Sequence, residues 1–313
     1  MKWLLAFGLS CAGCASGTPL ASLPIQPGSQ LASIEDQDRT RTVVVHVPPG
    51  GAARRPLVVS LHGGGSSGES MEETTGLSRL ADRHRFVAAY PDGIGGPHGF
   101  GRAWNAGECC GMPHFFGIDD AAFVGVLIDA LVKRLRVDEQ RIFVIGYSNG
   151  GLLALRVASE LGDRLAGVAI YAATLPATGP VYAPKPDFAP PRRPLSAIVM
   201  HSVGDPRVPY EGRELLERTD ASSQHTAEFF AAAARCPRQP QRRYAAARGA
   251  QIDAFESCAD GTEVEWVTLY GWNHEWPARS DIRECRAPGE PLYDFDAAEH
   301  IWRFFSDKRS TGG

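Results

Sequence analysis

Ser148 sits in Gly146-Tyr147-Ser148-Asn149-Gly150, directly after a β-branched run (Arg141 to Ile145) and directly before a stretch with helical spacing. That context forces the serine into a tight strand-to-helix turn, where only glycine tolerates the close backbone approach on either side. A hydroxyl is a poor nucleophile at neutral pH, so it needs an imidazole to take its proton and a carboxylate to orient that imidazole. For a serine on such a turn the chain order should run serine, acid, histidine. Only His201, His225, His274 and His300 follow Ser148. His201 ends a predicted strand and reads as a structural residue, while His225 and His300 fall on predicted helices among polar neighbours. His274 lies in a loop from Tyr270 to Pro277 just after a strand, where an imidazole can reach across the strand ends, so it is the candidate base. Asp205 follows the strand Leu195 to Met200 and is the candidate acid.

A second backbone element completes this chemistry. Leu61-His62-Gly63-Gly64-Gly65 closes a strand with a glycine-rich loop that can offer an N–H to a developing oxyanion. The donors assigned from sequence are the N–H groups of Gly64 and Asn149, and each such donor is worth on the order of 3 kcal/mol of barrier. The expected chemistry is acyl transfer through a serine ester. No Walker A, Rossmann fingerprint or HExxH motif is present, and no paired CxxC spacing with histidines, so no cofactor and no metal are expected.

The elements that must hold these groups alternate. Strands are predicted at Thr42 to Val47, Leu57 to Leu61, Phe86 to Tyr90, Arg141 to Ile145, Gly167 to Tyr171, Leu195 to Met200 and Val264 to Leu269. Helices are predicted from Met71 to His84, Asp119 to Arg136, Gly151 to Glu160 and Ala297 to Phe305, where apolar residues recur at steps of three and four. Strands alternating with helices imply an α/β fold with a mainly parallel sheet covered on both faces. The Pro-rich piece from Pro176 to Pro194 reads as a long loop over the sheet, and no repeat or linker to a second domain is seen.

Composition agrees with a folded enzyme. The 313 residues carry 32 Lys plus Arg against 36 Asp plus Glu, a net charge of −4 that leaves no basic excess for phosphates, so no nucleic-acid partner is expected. At the start, Met1-Lys2 leads into a short apolar run, Trp3 to Leu9, and then small residues, which is how an export signal is built; it is too short to span a bilayer. The expected organisation is an export signal over residues 1–21, a tether over 22–40 and a single catalytic domain over 41–306. Five cysteines follow the signal. In an oxidising compartment they should mostly pair, with Cys236 to Cys258 the preferred bridge and one thiol among Cys109, Cys110 and Cys285 left over.

Several ordered motifs together resemble those of the secreted polyhydroxybutyrate depolymerase, feruloyl esterase and acetylxylan esterase group of α/β-hydrolases, including its lipoprotein members. The resemblance runs from about Arg41 to Phe305. It includes the loop at His62, Tyr90-Pro91-Asp92-Gly93, Trp104-Asn105-Ala106-Gly107, Asp119-Asp120, the Ser148 turn, Gly204-Asp205 to Tyr210, and the His274 loop ending Trp276-Pro277. Gly64 stands where many relatives carry Cys, and Trp272-Asn273 replaces a common glycine pair. The resemblance implies the α/β-hydrolase fold and ester hydrolysis on feruloyl- or acetyl-type plant-wall esters, with polyhydroxyalkanoate oligomers as the alternative. It also implies a secreted, periplasmic or lipid-anchored protein: Cys11-Ala12-Gly13-Cys14 resembles a lipobox, so the two readings are membrane attachment through a lipidated Cys14 and ordinary cleavage between Ala15 and Ala21. Aromatics expected near the substrate are Trp104, Trp272 and Trp276, together with Phe115 and Phe116.

Overall fold

The computed structural model describes residues 17–50, 54–107, 109–178, 183–185, 188–214, 219–244 and 249–310. Cys11, Cys14 and Ala15, on which the lipobox and most of the expected leader rest, lie outside them.

The first strands are β1 (Thr18–Pro19), β2 (Gly28–Asp36), β3 (Arg39–Val47) and β4 (Arg55–Leu61). Helices α1 (Gly68–Thr75) and α2 (Leu77–His84) lead to β5 (Val87–Pro91), and α3 (Gly111–Phe115) and α4 (Asp120–Leu135) to β6 (Val137–Tyr147). Helix α5 (Asn149–Leu161) and β7 (Gly167–Tyr171) follow, then the short β8 (Pro176–Thr178) and β9 (Ala183–Pro184), then β10 (Ser196–Ser202). The last third comprises β11 (Arg213–Glu214), β12 (Thr219–Asp220), α6 (Ser223–Ala233), β13 (Gln241–Tyr244), β14 (Ala250–Phe255), β15 (Val264–Leu269), α7 (Arg279–Cys285) and α8 (Ala297–Phe305).

Eleven strands form one sheet in the order β1-β2-β3-β5-β4-β6-β7-β10-β15-β14-β13. Its centre, from β5 through β15, is parallel; antiparallel pairs extend both edges, and β1 adds a short parallel pair outside β2. Every residue of β5, β7 and β10 is buried, as expected for strands covered on both faces. One apolar cluster packs α4, α5 and α6 against one face, and another packs α2 and α8 against the other. This is the α/β-hydrolase architecture. Because the central strands run parallel, the loops after β4, β6, β10 and β15 meet at one end of the sheet, where sites in open parallel sheets are built.

Three expectations change. The predicted helix from Met71 to His84 is two helices, because Gly76 adopts φ 63° and caps α1 in the left-handed conformation. The stretch 22–40, expected to be a tether, instead supplies β2, whose nine residues pair antiparallel with β3. The expected leader boundary at residue 21 also falls inside the fold, since Thr18 and Pro19 pair with β2 and Leu20 is buried in the core. Cys236 and Cys258 are bridged, closing the turn after α6 onto the end of β14. Cys109 and Cys110 pair with each other, and Cys285 is free and exposed. Among the described residues no helix is long and apolar enough to cross a membrane.

Candidate active site

Strand β6 runs straight into Ser148, whose backbone is held at φ 55° and ψ −117°. A non-glycine residue there is strained and persists only where its surroundings over-determine it. The flanking glycines do so: a Cβ on Gly146 would fall on the Gly150 carbonyl, and one on Gly150 would fall on the carbonyls of Leu61 and His62. The Ser148 N–H donates to the Tyr171 carbonyl at 2.9 Å, and its own carbonyl accepts from Leu152 N–H at 3.0 Å, tying the turn to β7 and to α5.

His274 Nε2 lies 2.8 Å from Ser148 Oγ, and His274 Nδ1 lies 2.7 Å from Asp205 Oδ2. With Nδ1–H donating to the carboxylate, Nε2 is left as the acceptor for the serine proton, the tautomer a general base requires. The His274 loop is pinned from below. Tyr171 Oη–H and Trp272 Nε1–H both donate to the Glu275 carbonyl, at 2.5 and 2.8 Å, and Ser202 Oγ–H donates to the Trp272 carbonyl. Tyr147 packs between Tyr171 and His274, with ring centroids 5.6 Å from each. Burial pushes both tyrosine hydroxyls up, and the Tyr171 hydroxyl stays protonated as a donor.

Asp205 has a fully buried side chain and accepts from Arg207 N–H at 2.8 Å and Val208 N–H at 2.9 Å. His201, read from sequence as merely structural, also reaches it. Its Nε2 is 3.2 Å from Asp205 Oδ2 and 2.9 Å from the Val208 carbonyl, while Nδ1 is buried without a partner among the described residues. The proton therefore sits on Nε2 and is shared between those two oxygens. Burial pushes the Asp205 carboxyl up, but the hydrogen bonds from His201, His274, Val208 and Arg207 outweigh it and hold the group below the usual carboxylate range. It is a charged acceptor at neutral pH.

Gly64 and the start of α5 lie side by side: a Cβ on Gly64 would sit 3.7 Å from Asn149 Cβ. The Asn149 N–H is among the donors that a helix leaves unpaired at its N-terminus. The glycine loop borders a cavity of about 600 Å³ that opens over Ser148 and His274. Its lining includes Ser66, Ser67, Ser70, Thr74, Arg102 and Arg207, together with Tyr147 and Trp276. Among the described residues no group of three or more His, Cys, Asp or Glu side chains is arranged to hold a metal ion.

The aromatics behave differently from expectation. Trp276 lines the cavity, although it is almost wholly buried. Trp104 is 0% exposed and Trp272 spends its indole N–H on the Glu275 carbonyl; neither lines the cavity. Both turn the indole N–H to a backbone carbonyl, Trp104 to that of His62, which spacing alone does not reveal. Phe115 and Phe116 stack edge to face on the surface, 81% and 59% exposed, and are not part of the cavity wall.

Residues 42–178 match the family model described as Esterase PHB depolymerase. “Putative esterase NocK” of Nocardia uniformis subsp. tsuyamanensis is 30% identical over 283 residues, spanning 83% of this chain and 78% of that relative. The chain belongs to the Esterase PHB depolymerase family. As a member it is an ester hydrolase, and the family's α/β-hydrolase fold is the one described above. Feruloyl esterase B of Piromyces equi is 27% identical over 241 residues, covering 75% of this chain but only 42% of the relative. In fold, the chain is similar to an acetyl xylan esterase from Aspergillus awamori, with a TM-score of 0.58 at 12% identity, over 88% of this chain and 99% of that one.

Proposed function

We propose that this family member is a serine esterase that removes short acyl groups from soluble, hydroxyl-rich alcohols, of the kind found in acetylated plant-wall fragments. His274 takes the proton from Ser148 as the hydroxyl oxygen attacks the ester carbonyl, and Asp205 holds the resulting imidazolium. The N–H groups of Gly64 and Asn149 receive the oxyanion. His274 then hands its proton to the leaving alkoxide, and water, activated by the same imidazole, releases the acid from the acyl-enzyme. The observation that carries this reading is the unbroken hydrogen-bond chain Asp205–His274–Ser148 at the floor of an open cavity.

The substrate class rests on the lining. Four hydroxyl side chains and two guanidinium groups suit a sugar hydroxyl face, and of the three tryptophans expected near the substrate only Trp276 joins Tyr147 on the wall, while Trp104 and Trp272 turn their indole N–H to backbone carbonyls. A second reading, hydroxyalkanoate oligomers, draws on Arg207. Arg207 is exposed and has no ion pair among the described residues, and on the cavity wall its guanidinium would hold the free carboxylate of an oligomer end. Export is part of the proposal, with the leader ending ahead of Gly17, because removal of Leu20 would strip a side chain from the core.

The test is hydrolysis of p-nitrophenyl acetate, an acetylated xylo-oligosaccharide, methyl ferulate and a hydroxybutyrate oligomer by the wild type and by Ser148→Ala. Acetate release from the xylo-oligosaccharide that disappears in the variant is the expected result. Turnover of the hydroxybutyrate oligomer alone moves the second reading to the front, and wild-type rates in Ser148→Ala overturn the mechanism.

A further inference from the structure

We propose that Trp104 is a positioning residue that keeps the two oxyanion donors in register. The inference rests on the reading of Ser148, Gly64 and Asn149 given above. The two donors come from segments remote in sequence, and one of them, Gly64, lies between two other glycines with no side chain to anchor it. Something must hold the glycine loop against the start of α5.

The Arg102 to Trp104 segment does this from three sides. At one end of the glycine loop, Trp104 Nε1–H donates to the His62 carbonyl at 2.9 Å. At the other end, Gly65 N–H donates to the Arg102 carbonyl at 2.6 Å. The third contact is to the helix: Trp104 N–H donates to Asn149 Oδ1 at 2.8 Å, and Asn149 Nδ2–H donates to the Trp104 carbonyl at 3.1 Å. The Asn149 side chain thus pairs with both backbone groups of one residue much as a neighbouring strand would. One residue therefore contacts the segment of each donor, while its own side chain stays wholly buried and off the cavity wall.

The brace is itself anchored. The His62 ring lies 4.8 Å from the Trp104 indole, with Nδ1–H donating to the Gly63 carbonyl and Nε2 accepting from Gly93 N–H. Behind the indole, the buried Arg41 guanidinium lies 3.8 Å above the Phe123 ring and is paired with Asp120, which in turn accepts from the Asn105 N–H at 2.7 Å. Oxyanion stabilisation depends on donors already aimed at the place where charge develops, so a small displacement of either donor weakens the transition state while leaving ground-state binding nearly untouched.

The decisive variant is Trp104→Phe, which keeps a ring and removes the N–H. Its kcat on p-nitrophenyl acetate should fall about 10- to 100-fold, the scale of loss when reacting groups are slightly misplaced, with KM within about twofold of wild type. Affinity for a boronic acid, which forms a tetrahedral adduct on Ser148, should fall by a similar factor. Asn149→Ala, which removes the amide but keeps the backbone N–H, should show the same split, and the double variant should be little worse than the poorer single variant. If Trp104→Phe does not fold, Asn149→Ala alone decides. Wild-type kcat and boronic acid affinity in a folded variant overturn the brace. Ser148→Ala, run in parallel, separates the two failures: activity lost in Ser148→Ala but kept in Trp104→Phe removes only the brace, whereas activity kept in Ser148→Ala removes the reading of the site itself.

Discussion

Among the described residues, two Ser-His-Asp constellations have nearly the same distances. In one, Ser148 Oγ is 2.8 Å from His274 Nε2, and His274 Nδ1 is 2.7 Å from Asp205. In the other, Ser29 Oγ is 2.8 Å from His46 Nδ1, and His46 Nε2 is 2.8 Å from Asp82. What surrounds them differs. Ser29 and His46 are direct cross-strand partners in the β2/β3 ladder, so their contact is the ordinary consequence of register. The Ser29 hydroxyl already gives its proton to Glu72, and the Asp82 side chain is 46% exposed. Ser148 instead occupies a strained turn at a helix start, over a cavity, with a buried acid and the Gly64 loop alongside. A hydrogen-bonded trio is thus cheap to form on a surface. A nucleophile needs the turn, the free proton acceptor and the oxyanion donors as well.

The predictions test that contrast, the largest effect first. Ser148→Ala should lower kcat by about 10⁶-fold with the fold intact, as measured by p-nitrophenyl acetate hydrolysis and thermal unfolding. A loss comparable to that of a surface serine variant would erase the distinction. Asp205→Asn should cost about 10⁴-fold in kcat, because the amide no longer holds His274 in the required tautomer. Asp82→Asn, assayed beside it, should leave kcat unchanged, and equal losses in the two would show that the second constellation participates.

His62 provides a pH test of the loop that the second constellation lacks. Burial pulls its imidazole down from about 6.5 to about 4, so it stays neutral and accepts from Gly93 N–H. Between those values the unfolded chain binds a proton that the folded chain refuses. The stability this group contributes is therefore full above about pH 6.5 and falls as pH drops toward 4, by up to about 3 kcal/mol. Denaturant unfolding of the wild type and His62→Gln across pH 7 to 4 measures it; an identical slope in both would place the titration elsewhere. The smallest effect belongs to Ser29→Ala, whose kcat should remain within about twofold of wild type and whose stability should change by less than about 1 kcal/mol. A tenfold fall in its kcat would make the β2/β3 cluster functional after all.

Much of the site was legible because its determinants are local. Gly146 and Gly150 leave room for only one backbone path around Ser148, and that path is visible in five consecutive residues. The order Ser148, Asp205, His274 along the chain was also readable, since each follows a strand that ends at the same side of a parallel sheet. His201 reads as a structural residue and is one, buried with its Nε2–H shared between Asp205, four residues on, and the Val208 carbonyl. Residues whose role depends on a remote partner were misread. Trp104 and Trp272 looked like substrate contacts because an aromatic side chain near a motif reads the same whether it faces a cavity or a buried carbonyl. Residues 22–40 looked like a tether because the alternation in β2 is weak, and it becomes a strand only through pairing with β3.

By itself, then, the sequence determined the alternating layers and the strand-to-helix turn that carries Ser148, through hydrophobic periodicity and the steric demands of glycine within a few residues. The tertiary structure alone decided which tryptophans turn their indole N–H to buried carbonyls, and which of two similar trios faces a cavity beside the Gly64 loop. Those outcomes depend on hydrogen bonds and burial between segments brought together only when the sheet is assembled.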